Sequence, residues 1–189
     1  MKNEIKAGYI QPNYLTEKDI SKILRHAKTN HHHYLWIGLL YTGGLTIQEL
    51  LGIKTRDFNL KSMTLIIPGG TKLKSRKISI PDSFKTYLCS EIHMKDSDDY
   101  IFSGRNGKLH TRTVQKLFDK MKEKTGIELS IHAIRKSLAI HLYKAGWSEK
   151  SICMYLGHSQ IYSTKKMLRG ILPPESNIHP IHNILINAA

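Results

Sequence analysis

The chain has 189 residues, 40% hydrophobic and 23% charged, which gives enough apolar content for a core and argues against a disordered chain. Lysine and arginine number 29 against 15 acidic residues, a balance of 29 − 15 = +14, which predicts a polyanionic partner, nucleic acid ahead of an anionic membrane surface. Cys89 and Cys153 alone make neither a disulfide framework nor a zinc module, the apolar run from Tyr34 to Tyr41 is too short for a bilayer, and the N-terminus lacks the apolar stretch of a secretory signal. These features predict a basic cytoplasmic domain with no membrane segment.

In chain order, Thr16 followed by Asp19 opens an apolar pattern at Ile20, Ile23, Leu24 and Ala27, which predicts a capped amphipathic helix. His33 to Tyr41 continues as an apolar, buried helix stopped by Gly43-Gly44, and Thr46 then caps a short helix reaching Gly52. Met63-Thr-Leu-Ile-Ile67 is rich in β-branched residues and ends at Pro68-Gly69-Gly70, while Lys77-Ile-Ser-Ile80 alternates with period two. Together they predict an antiparallel hairpin whose turn carries the basic run from Thr71 to Lys77. Tyr100-Ile101-Phe102 reads as a strand or extended segment, and helical patterns return after Pro81, Thr111, His132, Ser148 and Gln160. The predicted fold class is mainly α with a small antiparallel β-sheet (α+β).

The expected organisation is an N-terminal extension over 1–14, a domain over 15–172 and a tail over 173–189. In the tail, Pro173-Pro174 breaks any helix from upstream, and Ile178, Ile181, Ile184 and Leu185 recur at helical spacing. Such a face predicts a docking helix, folded back on its own domain or seated on a neighbouring subunit. His31-His32-His33 reads as a polar helix start rather than a metal tract, because no acidic residue stands close by in sequence. Asp96, Asp98 and Asp99 read as a solvated turn, and Trp36, Trp147, Cys89 and Cys153 as core. The basic segment from Lys116 to Lys124, with Arg112 before it, fits a DNA-facing or a purely solvated helix face equally well.

Three short motifs carry chemistry. His132 and Arg135 stand three apart on a helix and so share a face, pairing a proton carrier with a guanidinium fork suited to phosphate oxygens. Leu156-Gly157-His158 places a histidine just past a glycine helix stop, and Lys72 sits in the basic hairpin turn. In this order, with 158 − 132 = 26 residues between the histidines, the set resembles the catalytic domain of tyrosine recombinases, the phage integrase family. Tyr41-Thr42-Gly43, Glu49-Leu50-Leu51, Asp57, Ile101-Phe102-Ser103 and Gly107-Lys108 extend the resemblance over residues 15–167.

The resemblance implies a phosphoryl-transfer site on double-stranded DNA. In that family a tyrosine attacks a backbone phosphate and becomes a 3′-phosphotyrosine, two arginines hold the non-bridging oxygens, a hairpin lysine protonates the leaving oxygen and histidines position the phosphate. Lys72, His132, Arg135 and His158 match retained catalytic positions, and Lys72, Lys74, Arg76, Arg112, Lys116 and Arg135 are the expected DNA-binding residues. No metal or other cofactor is implied.

Two positions depart from the pattern. Counting back from Glu49-Leu50, the first arginine falls on Thr46, and counting forward from Thr42-Gly43 it falls on Leu45; neither supplies a guanidinium. Counting nine on from His158, the nucleophile falls on Met167, whose thioether forms no phosphotyrosine. The expected function is therefore a DNA-binding integrase-like domain of recombination that does not cleave DNA by itself. The alternatives are an active recombinase using Tyr162 or another subunit's tyrosine, and a protein-interaction module acting through 173–189. That tail is also the expected contact for self-association or for an active recombinase. Only fifteen residues precede Thr16, so the family's separate core-binding domain is not expected within this chain.

Overall fold

The computed structural model describes residues 14–70, 72–104 and 107–172; the predicted tail helix and most of the N-terminal extension lie outside them. Helices dominate, in the order α1 (Glu17–Ala27), α2 (His31–Thr42), α3 (Ile47–Gly52), α4 (Lys85–Ile92), α5 (Thr111–Thr125), α6 (Ile131–Lys144), α7 (Glu149–Tyr155) and α8 (Ile161–Leu168). Strands β1 (Phe58–Asn59), β2 (Thr64–Ile67) and β3 (Arg76–Ser79) form one antiparallel sheet, and β4 (Ser103–Gly104) pairs with β5 (Gly107–Lys108). The mainly helical class with small antiparallel sheets agrees with the sequence. No helix among the described residues is long and apolar enough to cross a membrane.

The helix starts follow local chemistry. Thr16 and Asp19 exchange side-chain and backbone hydrogen bonds in a capping box, and Thr46 and Glu49 do the same at α3. α2 is buried on nearly all sides, from Tyr34 to Thr42, because it runs between α1 and α6 at the centre of the core. Gly44 follows it with φ +53°, and a Cβ there would lie 2.4 Å from Leu156 Cδ2. The chain can therefore turn toward α3 only with a residue lacking a side chain.

The hairpin pairs Thr64 with Ser79 and Ile67 with Arg76. Strand parity then directs Arg76 and Ile78 inward and Lys77 and Ser79 outward. β1 adds a third strand through Phe58 opposite Leu65, too short for a periodic signal. Asp98 is exposed and pairs with Lys54 and Arg56, in keeping with a solvated turn.

Several core expectations are corrected. Trp36 is buried, but Trp147 is 40% exposed: it follows the helix-ending Gly146 and stands edge-on to Tyr155. Cys89 is exposed and Cys153 partly so: α4 turns Leu88 and Glu91 inward, which leaves Cys89 on its outer side. The histidine run does have an acidic neighbour in space, since His31 and His32 both lie against the Glu91 carboxylate of α4.

Candidate phosphate-binding site

Of the residues singled out in the sequence, Arg135 and His158 come together where the α2–α3 turn, the β2–β3 loop, α6 and the end of α7 meet. Arg135 projects inward from α6 and is buried. Its Nη1 donates to the Gly44 carbonyl, and its Nη2 donates to the Leu156 carbonyl at 3.3 Å and to His158 Nε2 at 3.1 Å. Burial lowers its pKa to about 10, the neighbouring Glu49 opposing that fall, so the guanidinium stays charged at neutral pH.

His158 is held at both ring nitrogens, with Nδ1 2.9 Å from Thr164 Oγ1. A guanidinium can only donate, so Nε2 must be the acceptor and the proton sits on Nδ1, directed at Thr164. Burial first, then the charges of Arg135 and Arg76, lower the His158 pKa to about 4 and keep the ring neutral.

Glu49 organises the opposite side. Arg76 forks onto it, Nη1 to Oε1 at 2.6 Å and Nη2 to Oε2 at 3.1 Å, with Nη2 also 3.5 Å from the Gly43 and Gly44 carbonyls. Burial pushes the Glu49 carboxyl up, but the hydrogen bonds from Arg76 and the Thr46 backbone, with the charges of Arg76 and Arg135, leave it below its ordinary value. The Arg76 side chain is 5% exposed, so a residue grouped in the sequence with the DNA-facing cations is enclosed in an ion pair. Its inward parity with Ile78 and Ile80 is the signal that could have identified it.

Thr46, one of the two residues on which the count for the first arginine falls, donates its hydroxyl to Glu49 Oε2 at 3.1 Å and accepts from Glu49 N at 3.2 Å. Both bonds belong to the helix cap. A cleft of about 480 Å³ runs beside it, with Thr46 and Glu49 on one wall and Gly69 and Lys72 on the other. The hairpin loop is joined to the second-histidine segment: Lys74 N donates to Gly157 O at 2.8 Å, and Leu73 bridges to His158. Gly157, at φ +71°, leaves room for this, since a Cβ there would stand 2.7 Å from Arg76 Nη1.

The remaining expected residues are dispersed. Lys72 and Lys74 are exposed on the loop, and Arg112 and Lys116 are exposed on α5. His132 stands exposed on the first turn of α6, one turn before Arg135. Met167 is half-buried on α8 and packs against the core, whereas Tyr162, on the same helix, is 72% exposed. Tyr155 donates its hydroxyl to Thr42 O at 2.6 Å, and burial pushes its pKa up to about 12.

Residues 13–168 match the profile of the phage integrase family. The chain is 31% identical over 163 residues to the tyrosine recombinase XerA of Thermococcus kodakarensis, aligning 82% of this chain with 57% of that protein. Against XerA of Pyrococcus horikoshii identity is 33% over 162 residues, with 82% and 55% covered. The chain thus spans little more than half the length of these curated relatives. Among solved structures, it resembles the crystal structure of XerA recombinase with a TM-score of 0.74 at 22% identity, covering 82% of this chain and 60% of that one. It also resembles XerH site-specific recombinase bound to difH substrate in a pre-cleavage complex, with a TM-score of 0.72 at 19% identity, covering 84% and 50%. At these identities the structural likenesses show the fold alone. The profile match over most of the length establishes that the chain belongs to the phage integrase family.

Proposed function

We propose that this domain binds double-stranded DNA by its backbone and, by itself, leaves the strands uncut. The reading is carried by Met167, the residue that the count of nine from His158 puts at the family's nucleophile position, whose thioether is half-buried against the core. Thr46 supports it, because its hydroxyl is occupied in the α3 cap and a lost fixed donor typically costs about 10²–10³ in rate. In this reading Arg135, Lys72 and His132 meet one phosphate. His158 holds the Arg135 fork in place, and Lys74, Arg112 and Lys116 neutralise further phosphates. The +14 balance supports that partner, as do two structures of the same fold, the XerH recombinase bound to difH substrate and the Tn1549 transposon integrase in complex with a circular intermediate DNA.

The test is to immobilise the full chain, pass fragmented duplex DNA over it at low salt and wash with a denaturing detergent. Fragments that bind and then all release are the expected result. Covalently retained fragments would overturn the claim that the strands stay uncut, and no binding even at low salt would overturn the claim of DNA binding. A second reading rests on the exposure of Tyr162, which leaves its hydroxyl accessible on α8. Retained fragments that disappear in Tyr162→Phe would establish it, and fragments that persist would point to a tyrosine from another subunit.

A further inference from the structure

Away from the proposed DNA-binding site, α2 begins with His31 and His32, and both imidazoles converge on one carboxylate sixty positions on (91 − 31 = 60). Glu91 Oε1 lies 3.1 Å from His31 Nε2 and 2.7 Å from His32 Nδ1. The three ligand atoms fall within 4.8 Å of one another. Consecutive helical side chains normally diverge. Here the divergence is offset because His31 presents its far ring nitrogen and His32 its near one. The rings stand 4.0 Å apart, centroid to centroid.

The carboxylate is what points to a ligand. The Glu91 side chain is only 7% exposed, and among the described residues no well-aligned hydrogen bond reaches its Oε1, although two ring nitrogens stand beside it. A buried anionic oxygen left this way is costly unless a cation or a proton donor completes it. Its other oxygen, Oε2, has Lys95 Nζ at 3.9 Å.

We propose that His31, His32 and Glu91 bind one divalent transition-metal ion of the zinc class. Two imidazoles and a carboxylate favour zinc-like ions over magnesium or calcium, which prefer all-oxygen shells. Tetrahedral bonds of about 2.0–2.1 Å place ligands about 3.3 Å apart. The carboxylate oxygen already stands 3.1 and 2.7 Å from the two ring nitrogens, and those nitrogens, within 4.8 Å of each other, close onto the ion by small rotations of exposed rings. The histidine side chains are 49% and 45% exposed, so a fourth position opens to water. The bound ion ties the start of α2 to the end of α4.

The test uses the full chain freed of any affinity tag, titrated with zinc chloride alone and followed by calorimetry and by thermal melting with and without chelator. One ion per chain, and a melting temperature that rises with zinc and falls back with chelator, is the expected result. His32→Ala, at a half-exposed position, lowers the affinity at least about tenfold, and Glu91→Gln does the same, while His33→Ala leaves it unchanged. Cobalt titrated into the native chain gives the visible absorption of a tetrahedral site. Absence of stoichiometric binding, or equal binding by the native chain and His32→Ala, would overturn the proposal and leave a histidine–glutamate ion pair only.

Discussion

The buried fork between Arg76 and Glu49 permits a quantitative test of how this fold holds its site. Replacing Arg76 with methionine takes the donors at 2.6 and 3.1 Å from the enclosed Glu49 carboxylate and leaves it the Thr46 cap bonds and Arg135 Nη1 at 4.0 Å. Breaking one partner of a buried pair costs about 3–5 kcal/mol, because an uncompensated charge is left behind. In a domain of this size each kcal/mol lowers Tm by about 2–4 °C, so Arg76→Met should melt about 6–20 °C below the parent. Glu49→Gln keeps part of the α3 cap but strands the guanidinium, and it should fall in the same range. The double variant removes both charges and should recover much of the loss, so the cycle returns a large coupling. Urea melts of the four proteins, read by circular dichroism, measure it. Additive single costs, or single costs below about 1 kcal/mol, would refute the reasoning that the fork is desolvated and mutually dependent.

Three further outcomes follow from the geometry. DNA affinity should fall steeply with salt. If Lys72, Lys74, Arg112 and Lys116 each neutralise a phosphate, they give a slope of about −3.6, or about 150-fold between 50 and 200 mM, and Lys72→Ala should reduce the slope by about one unit in filter-binding titrations. Stability should decline as pH falls from about 6.5 to about 4: burial first, then the Lys144 charge, lower the His141 pKa to about 4, so the unfolded chain takes up a proton that the folded chain refuses. His141 alone contributes about 3 kcal/mol of that decline, His158 acts in the same direction, and a flat pH–stability curve across this window would contradict both. Gly157→Ala should cost about 1–3 kcal/mol, since it adds a left-handed strain and a Cβ 2.7 Å from Arg76 Nη1; a variant as stable as the parent in the same melts would rule the contact out.

The sequence revealed what depends on local chemistry. Thr16 with Asp19, and Thr46 before Glu49, marked helix starts because a cap needs only neighbours in the chain. The Lys77–Ile80 alternation marked a strand for the same reason. Extended back by one residue, that alternation also turns Arg76 inward, but its place in a basic run hid this. The order of Lys72, His132, Arg135 and His158 was legible, whereas the partners that fix Arg135 are backbone carbonyls at Gly44 and Leu156, which leave no mark in residue identity. Glu91 beside His31 and His32 was invisible for a related reason, since helix packing alone brings them together. Trp147 and Cys89 show the reverse failure: an apolar pattern says a residue can be buried, and only tertiary packing decides that it is.

The join between the hairpin loop and the second-histidine segment bears on how tightly the domain can grip. A loop that orders only when it meets its ligand gives up about 1–2 kcal/mol of backbone entropy per residue at that moment. Here Lys74 N is already bonded to Gly157 O and Leu73 is already paired with His158, so the middle of the loop is fixed while free. If DNA binds as proposed, a phosphate arriving at Lys72 meets a loop whose Leu73 and Lys74 are already held. The entropy of those two residues is given up during folding, so under the proposed binding it would appear as a longer residence time on DNA.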